Sequence, residues 1–379
     1  MAGLQHVAAL RNVERHRRLN PAEVLALEPH LKPQQLRGGV RYFDARTNDV
    51  RLTLANVIDA ERLGGVVANY AVFTGAPPPS NGQRVARVED VLTATHLDVR
   101  ARVLVNATGP WSDAVRQLEG GSATTRVQGS KGAHIAVSRD RVGNRDAVTL
   151  LHPKDGRVMF ALPSGTNTII GTTDTFTDAS PDEVRASEVD VAYLQEAANA
   201  FFPDARLRRQ DVVSAWAGIR PLMPTTGSSV SASREHAIGH HDGSVTITGG
   251  KLTTYRVMAR QVVDVVQRVL GTGGHRGRSD RRLLPDDSRA MNALCASSPE
   301  LRAEIVSGLP YRMGEMRWGV ERELACTLGD LLIRRTHLAF ETPDNGRAAA
   351  RRVAGFLGWD AKELERYESE VARMFTIDT

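Results

Sequence analysis

Cysteine is almost missing from the chain. The 379 residues hold two, Cys295 and Cys326, with neither a CxxC pair nor a spacing that could staple a small secreted domain, so a disulfide framework is excluded and two reduced thiols are expected. Aromatic residues make up only 5%, too few for the interleaved stacking platforms that single-stranded nucleic acid requires. No apolar run approaches the roughly 18 residues needed to span a bilayer, and Gln5, His6 and Arg11 break up any signal-like stretch. These absences predict a cytoplasmic protein. The sequence has no GxSxG elbow, no HExxH and no P-loop. His240-His241-Asp242 has no spaced partners, so no metal is expected there. Neither sign of charge dominates: 49 basic residues against 44 acidic give a net +5, with arginines scattered along the whole length. That balance weakly favours anionic ligands or a membrane surface and gives no ground for nucleic-acid specificity.

What is present is ordinary globular material. Hydrophobic residues at 41% and charged residues at 25% describe a folded chain of two or three domains at about 150 residues each. Asn20, Pro21 and Glu23 predict a capped helix that Pro29 and Pro33 end. Gly39–Phe43 reads as a strand, and Val50, Leu54, Val57, Ile58 and Leu63 recur at helical spacing. Val66–Phe73 is a further strand, followed by a hairpin from Val85–Val91 and Leu97–Val99. An apolar strand then closes on Asn106-Ala107-Thr108-Gly109, and Pro110-Trp111-Ser112-Asp113 opens a helix. From 125 to 250 short β-branched segments cut by turns predict an antiparallel sheet, interrupted by one helix near Ser187–Phe202. Val245–Thr248 leads through Gly249-Gly250-Lys251 into a long helix to Leu270. Residues 271–288 read as a linker, and 289–379 as an all-α domain with Val320, Leu324, Leu328 and Leu331 on one helix face.

Three places carry chemistry. A strand running through Gly249 and Gly250 into a helix presents free backbone N–H groups and the positive end of a dipole, which suits an anion or an electron-rich ring; a tight corner needs the same glycines, and Lys251, Thr253 and Thr254 tilt the reading toward function. In Gly218-Ile219-Arg220-Pro221 an arginine is held at a strand end by a following proline, and its guanidinium matches a carboxylate or phosphate; Arg234 follows fourteen residues later. His134 lies in a strand after the Gly129-Ser130-Lys131-Gly132 turn, where it serves either as an acid–base group or as a satisfied structural histidine. Gly109 offers the close backbone approach that a dinucleotide needs, and equally a tight helix–strand contact.

Taken in order, Asn106–Asp113, Gly129–His134, Ile169–Asp174, Gly218–Leu222, Arg234-Glu235 and Thr248–Arg256 resemble the FAD-dependent glycerol-3-phosphate dehydrogenases. The likeness runs from about residue 20 to the end, and the Gly-Gly-Lys-Leu-Thr-Thr-Tyr-Arg string is its most specific part. The resemblance implies an α/β (mixed α+β) fold: an incomplete Rossmann-like FAD-binding domain with an antiparallel-sheet substrate domain over 1–270, the linker 271–288, and a helical domain over 289–379. It implies FAD as cofactor, with Gly218, Gly249, Gly250, Leu252 and Thr253 lining the flavin ring and Gly109 near the ribose-pyrophosphate. Arg220 and Arg234 would grip the phosphate of glycerol 3-phosphate, Lys251 and Thr254 would meet the substrate, and His134 would face the reacting carbon. Hydride would leave the substrate for the flavin and electrons would pass to a quinone, at peripheral contact with the inner face of the membrane. A homodimer is left open.

One departure stands out. The family's strand, GxGxxG turn and helix for the FAD pyrophosphate have no counterpart here; Gly271-Thr272-Gly273-Gly274-His275-Arg276 lacks the last glycine and follows a helix. Weak FAD retention is therefore expected, with Met1 read as a misplaced start or the edge of a truncated product. Two alternatives stand beside the dehydrogenase: an oxidase that passes electrons to oxygen, and a non-catalytic chain that only binds a phosphate-bearing ligand or a partner.

Overall fold

The computed structural model describes residues 14–120, 127–223, 235–273 and 277–379. The strands are β1 (Arg17–Leu19), β2 (Gly39–Arg41), β3 (Ala71–Gly75), β4 (Arg84–Asp90), β5 (Thr95–Ala101), β6 (Leu104–Asn106), β7 (Gln128–Ser138), β8 (Val148–Leu151), β9 (Val158–Ser164), β10 (Asn167–Gly171), β11 (Thr175–Phe176), β12 (Val212–Leu222), β13 (His236–His241) and β14 (Ser244–Gly249). Local chemistry sets several boundaries. The Asn20 side chain accepts from the Glu23 N–H while Glu23 reaches back to the Asn20 N–H, the reciprocal cap that the sequence predicts for the helix Pro21–Leu27. Ser187 and Asp190 do the same for Glu188–Phe201. The β13–β14 hairpin turns through Asp242 and Gly243, both at positive φ, the pair a two-residue turn demands.

The central layer is a six-stranded antiparallel sheet in the order β11-β7-β10-β9-β8, with β12 also paired to β7. Alternation along β7 sends Ala133, Ile135 and Val137 into a core with Leu150, Met159 and Ile170, closed by Val191, Leu194 and Ala198 of the helix Glu188–Phe201. The opposite face is left for the site. A smaller sheet, β13-β14-β6, joins β14 and β6 in parallel, Val245 opposite Val105. The hairpin sheet β3-β4-β5 stands apart from both.

After the helix Tyr255–Val269 the chain is helical from Ser288 onward, with its own core around Met316, Leu328, Leu331, Leu332, Leu338, Val353 and Tyr367. One expectation fails here. The helix Met313–Arg322 ends before Leu324, whose φ is +57°, and Leu331 lies in a separate wide turn, Asp330–Arg335. The four residues therefore do not share a helix face, and Val320 stays 38% exposed. The break follows Glu323, whose buried carboxylate takes both guanidinium nitrogens of Arg51 at 2.7 Å in a bidentate pair. No described helix is long and apolar enough to cross a membrane.

Candidate active site

The free face of the central sheet builds the first half of the site. Because odd positions of β7 enter the core, Ser130, Gly132 and His134 project from the other side. On antiparallel β12, Arg220, Gly218 and Trp216 stand opposite those three residues in turn, and Gly171 of β10 stands opposite His134. Register alone brings Arg220 and His134 onto one surface although 86 residues separate them. The Arg220 guanidinium donates to the Thr172 hydroxyl at 2.8 Å and the Thr173 carbonyl at 3.3 Å, and pairs with Asp174 at 3.6 Å. Asp174 also accepts from the Ser130 hydroxyl and pairs with Arg157 at 3.5 Å. Arg157 also lies 3.9 Å from Asp155, so the two arginines face two carboxylates; what the clamp supplies is a guanidinium held in a fixed, partly desolvated orientation, a geometry suited to an oxyanion.

His134 lies against Trp216, the rings 5.6 Å apart and nearly parallel, and Trp216 meets Phe340 edge-on at 4.9 Å, which ties the site to the C-terminal helices. Burial lowers the imidazole to about 4, and the Arg220 charge pushes the same way against a smaller opposing pull from Asp49. The ring is thus neutral near pH 7, and the same burial that keeps it neutral makes it a weak base. Its Nδ1 is buried and makes no hydrogen bond among the described residues.

The second half stands where the parallel strands β6 and β14 end, the place where open α/β sheets take ligands. Asn106 fixes the turn after β6: its Nδ2 donates to the Ser112 carbonyl and its Oδ1 accepts from the Thr108 hydroxyl. Gly109 follows at φ +60°, with no atom within 4 Å of where a Cβ would stand, and Gly218 is equally open. After β14, Gly249 and Gly250 have φ of +73° and +94°; a Cβ on the first would lie 2.5 Å from the Glu235 carbonyl and on the second 2.5 Å from Met258 Sδ. Only glycine makes this corner. The Thr248 hydroxyl contacts Met223 Sδ at 3.8 Å, which joins the end of β14 to the end of β12 and so the two halves to each other.

Lys251, Leu252, Thr253 and Thr254 are exposed at the head of the helix Tyr255–Val269, and the Thr254 hydroxyl donates to the Lys251 carbonyl at 3.0 Å. The other expected phosphate ligand, Arg234, lies outside the described residues. Sequence reasoning missed Asp174, Arg157 and Trp216 as members of the site; only cross-strand register reveals them. The open backbone at Gly218 and the glycine corner at 249–250 fit the flavin ring of FAD, and the open backbone at Gly109 fits its ribose-pyrophosphate part. Among the described residues no GxGxxG turn offers a seat for its pyrophosphate.

Known proteins resemble this chain over most of its length. Residues 1–256 match the family described as FAD dependent oxidoreductase, and residues 286–364 match the C-terminal domain of alpha-glycerophosphate oxidase. The chain is 34% identical over 411 residues to the mitochondrial glycerol-3-phosphate dehydrogenase of Bos taurus, covering 94% of this chain and 56% of that protein. It is 34% identical over 273 residues to the aerobic glycerol-3-phosphate dehydrogenase of Staphylococcus haemolyticus, covering 71% and 49%. It thus spans about half the length of these relatives. The crystal structure of glycerol-3-phosphate dehydrogenase from Bacillus halodurans, complexed with FAD, superposes with a TM-score of 0.78 at 30% identity, covering 94% of this chain and 79% of that one.

Proposed function

This chain belongs to the glycerol-3-phosphate dehydrogenases of the FAD-dependent oxidoreductase family, and on that premise we propose that it oxidises sn-glycerol 3-phosphate to dihydroxyacetone phosphate. The observation that carries the proposal is that strand register sets the fork-held guanidinium of Arg220 and the imidazole of His134 on one sheet face. Arg220 binds the phosphate, with Asp174 and Thr172 fixing the plane of its fork. His134, neutral at pH 7, faces the reacting carbon and orients the C2 hydroxyl, and Lys251 steadies the oxygen as its proton is lost. Trp216 screens His134 from water on one side. Gly218, Gly249, Gly250, Leu252 and Thr253 would line the flavin ring of FAD, and Gly109 would approach its ribose. When bound, that cofactor supplies the acceptor for the C2 hydride.

Two measurements test the reading. Replacing Arg220 by Ala removes a charge-assisted contact worth roughly 1.5–3 kcal/mol, so glycerol 3-phosphate should bind about ten- to a hundredfold more weakly. Unchanged binding would show that the phosphate is held elsewhere. Titration of the purified chain with FAD, followed at the flavin absorbance bands, should show weak retention, because the sequence holds no GxGxxG turn for the pyrophosphate; tight stoichiometric flavin refutes that expectation. A quinone is the proposed electron acceptor, with peripheral membrane contact through the basic balance of the chain. A second reading, transfer to oxygen, is favoured by the match of residues 286–364 to an oxidase C-terminal domain; assays of peroxide formation against quinone reduction separate the two.

A further inference from the structure

Gly132 and Gly171 interrupt the free face of the central sheet, and neither has the positive φ that would demand glycine. Both sit in regular strand pairing, Gly132 opposite Gly218 and Gly171 opposite His134. Backbone φ alone therefore does not call for glycine at either position. What does not tolerate alanine there is the neighbouring side chain. A Cβ on Gly132 would stand 2.6 Å from both Cζ and Nη1 of Arg220, and a Cβ on Gly171 would stand 2.8 Å from both Cγ and Nε2 of His134. Each glycine is a bare patch of sheet on which one functional side chain lies flat.

We propose that Gly132 and Gly171 are positioning residues, Gly132 holding the Arg220 guanidinium at the angle that grips phosphate and Gly171 holding the His134 ring at the reacting carbon. The inference deepens the reading above and rests on it for the identity of the ligand. The two cradles act separately. A methyl group at 132 lifts the guanidinium off the sheet and breaks its fork with the Thr172 hydroxyl, the Thr173 carbonyl and Asp174, while the imidazole stays. A methyl group at 171 lifts the ring from its packing beside Trp216 and leaves the cation in place. Alanine is the smallest replacement available, so each test adds one methyl group and removes nothing.

The experiment is a pair of double-mutant cycles, Gly132→Ala with Arg220→Ala and Gly171→Ala with His134→Ala, made in the full chain. Thermal denaturation without ligand reads the steric clash; calorimetric titration with glycerol 3-phosphate, with and without added FAD, reads its consequence. Gly132→Ala should weaken binding about tenfold and add nothing once Arg220 is already Ala. Gly171→Ala should leave binding within about twofold but move the NMR titration of His134 from about 4 toward the ordinary histidine range. Equal losses of stability with and without the overlying side chain overturn the proposal, since the glycines would then serve the backbone alone. Coupled stability losses in a chain that never binds glycerol 3-phosphate would confirm the cradles and discard the substrate.

Discussion

The two sheets that meet at the site are packed very differently. Among the described residues the central sheet and its helix bury 17 apolar side chains in one cluster and the C-terminal helices 18 in another, whereas the sheet that carries the glycine corner shares a cluster of three, Val245, Ile247 and Val262. On that thinner side Val105 of β6 is 47% exposed and Val263 of the helix Tyr255–Val269 is 50% exposed. Leu97 and Val99 of the β3-β4-β5 sheet are also largely open. The site is thus asymmetric: Arg220, His134 and Gly218 stand on a rigid floor, whereas Lys251, Thr254 and the glycine corner stand on an element with little apolar burial of its own. Local stability follows buried contact, so the two halves should respond differently to the same kind of damage.

The sharpest way to break this contrast is to delete core volume on each side. Leu150→Ala, in the fully buried core of the central sheet, should cost about 2–5 kcal/mol by chemical denaturation. Val262→Ala, in the small cluster, should cost at most about 1.5 kcal/mol, the worth of two methyl groups. Equal costs would show that the apparent thinness is illusory.

A smaller effect is expected at the floor itself. Asp174→Asn leaves Arg157 and Arg220 without their shared counter-charge, and about 2 kcal/mol should be lost at pH 7; both arginines keep some solvent, which holds the figure below that of a fully buried pair. No such loss should follow from removing an exposed charge near the glycine corner, such as Arg260. If the two variants melt together, the clamp contributes no rigidity.

The pH dependence sharpens the same point. His134 titrates near 4 in the folded chain and near 6.5 when unfolded, so the unfolded state binds the extra proton first. Stability should be fully present above pH 6.5 and fall progressively as the pH drops from 6.5 toward 4, by about 3 kcal/mol. His134→Gln should flatten that part of the curve, and an unaltered slope would mean that burial and the Arg220 charge do not lower the ring as described.

How much of this was legible in the sequence depends on the distance between partners. The Asn20–Glu23 cap, the helix beginning after Ser187, the Asp242-Gly243 turn and the glycine corner after β14 each involve residues within a few positions of one another, and composition and spacing suffice for them. The Asp174 clamp could not be read this way, because Ser130 and Arg220 reach it across 44 and 46 residues through strand register. The roles of Gly132 and Gly171 were hidden for the same reason: a glycine in a strand looks like weakness until the overlying side chain is seen. Leu324 failed in the opposite direction, since helical periodicity continued past the point where Glu323 turned inward to meet Arg51 from 272 residues away.

The smallest expected effect is at Val263. A valine already half in water on the solvent side of its helix has little transfer free energy left to lose, so Val263→Ala should change stability by no more than about 0.5 kcal/mol. The higher helix propensity of alanine even favours a slight gain. Leu194→Ala makes the useful control, because that helix packs its fully buried face on the central sheet and should lose several-fold more. A large loss at Val263, measured by the same denaturation curve, would mean that its face is covered in solution and that the contrast between the two halves belongs to the isolated chain alone.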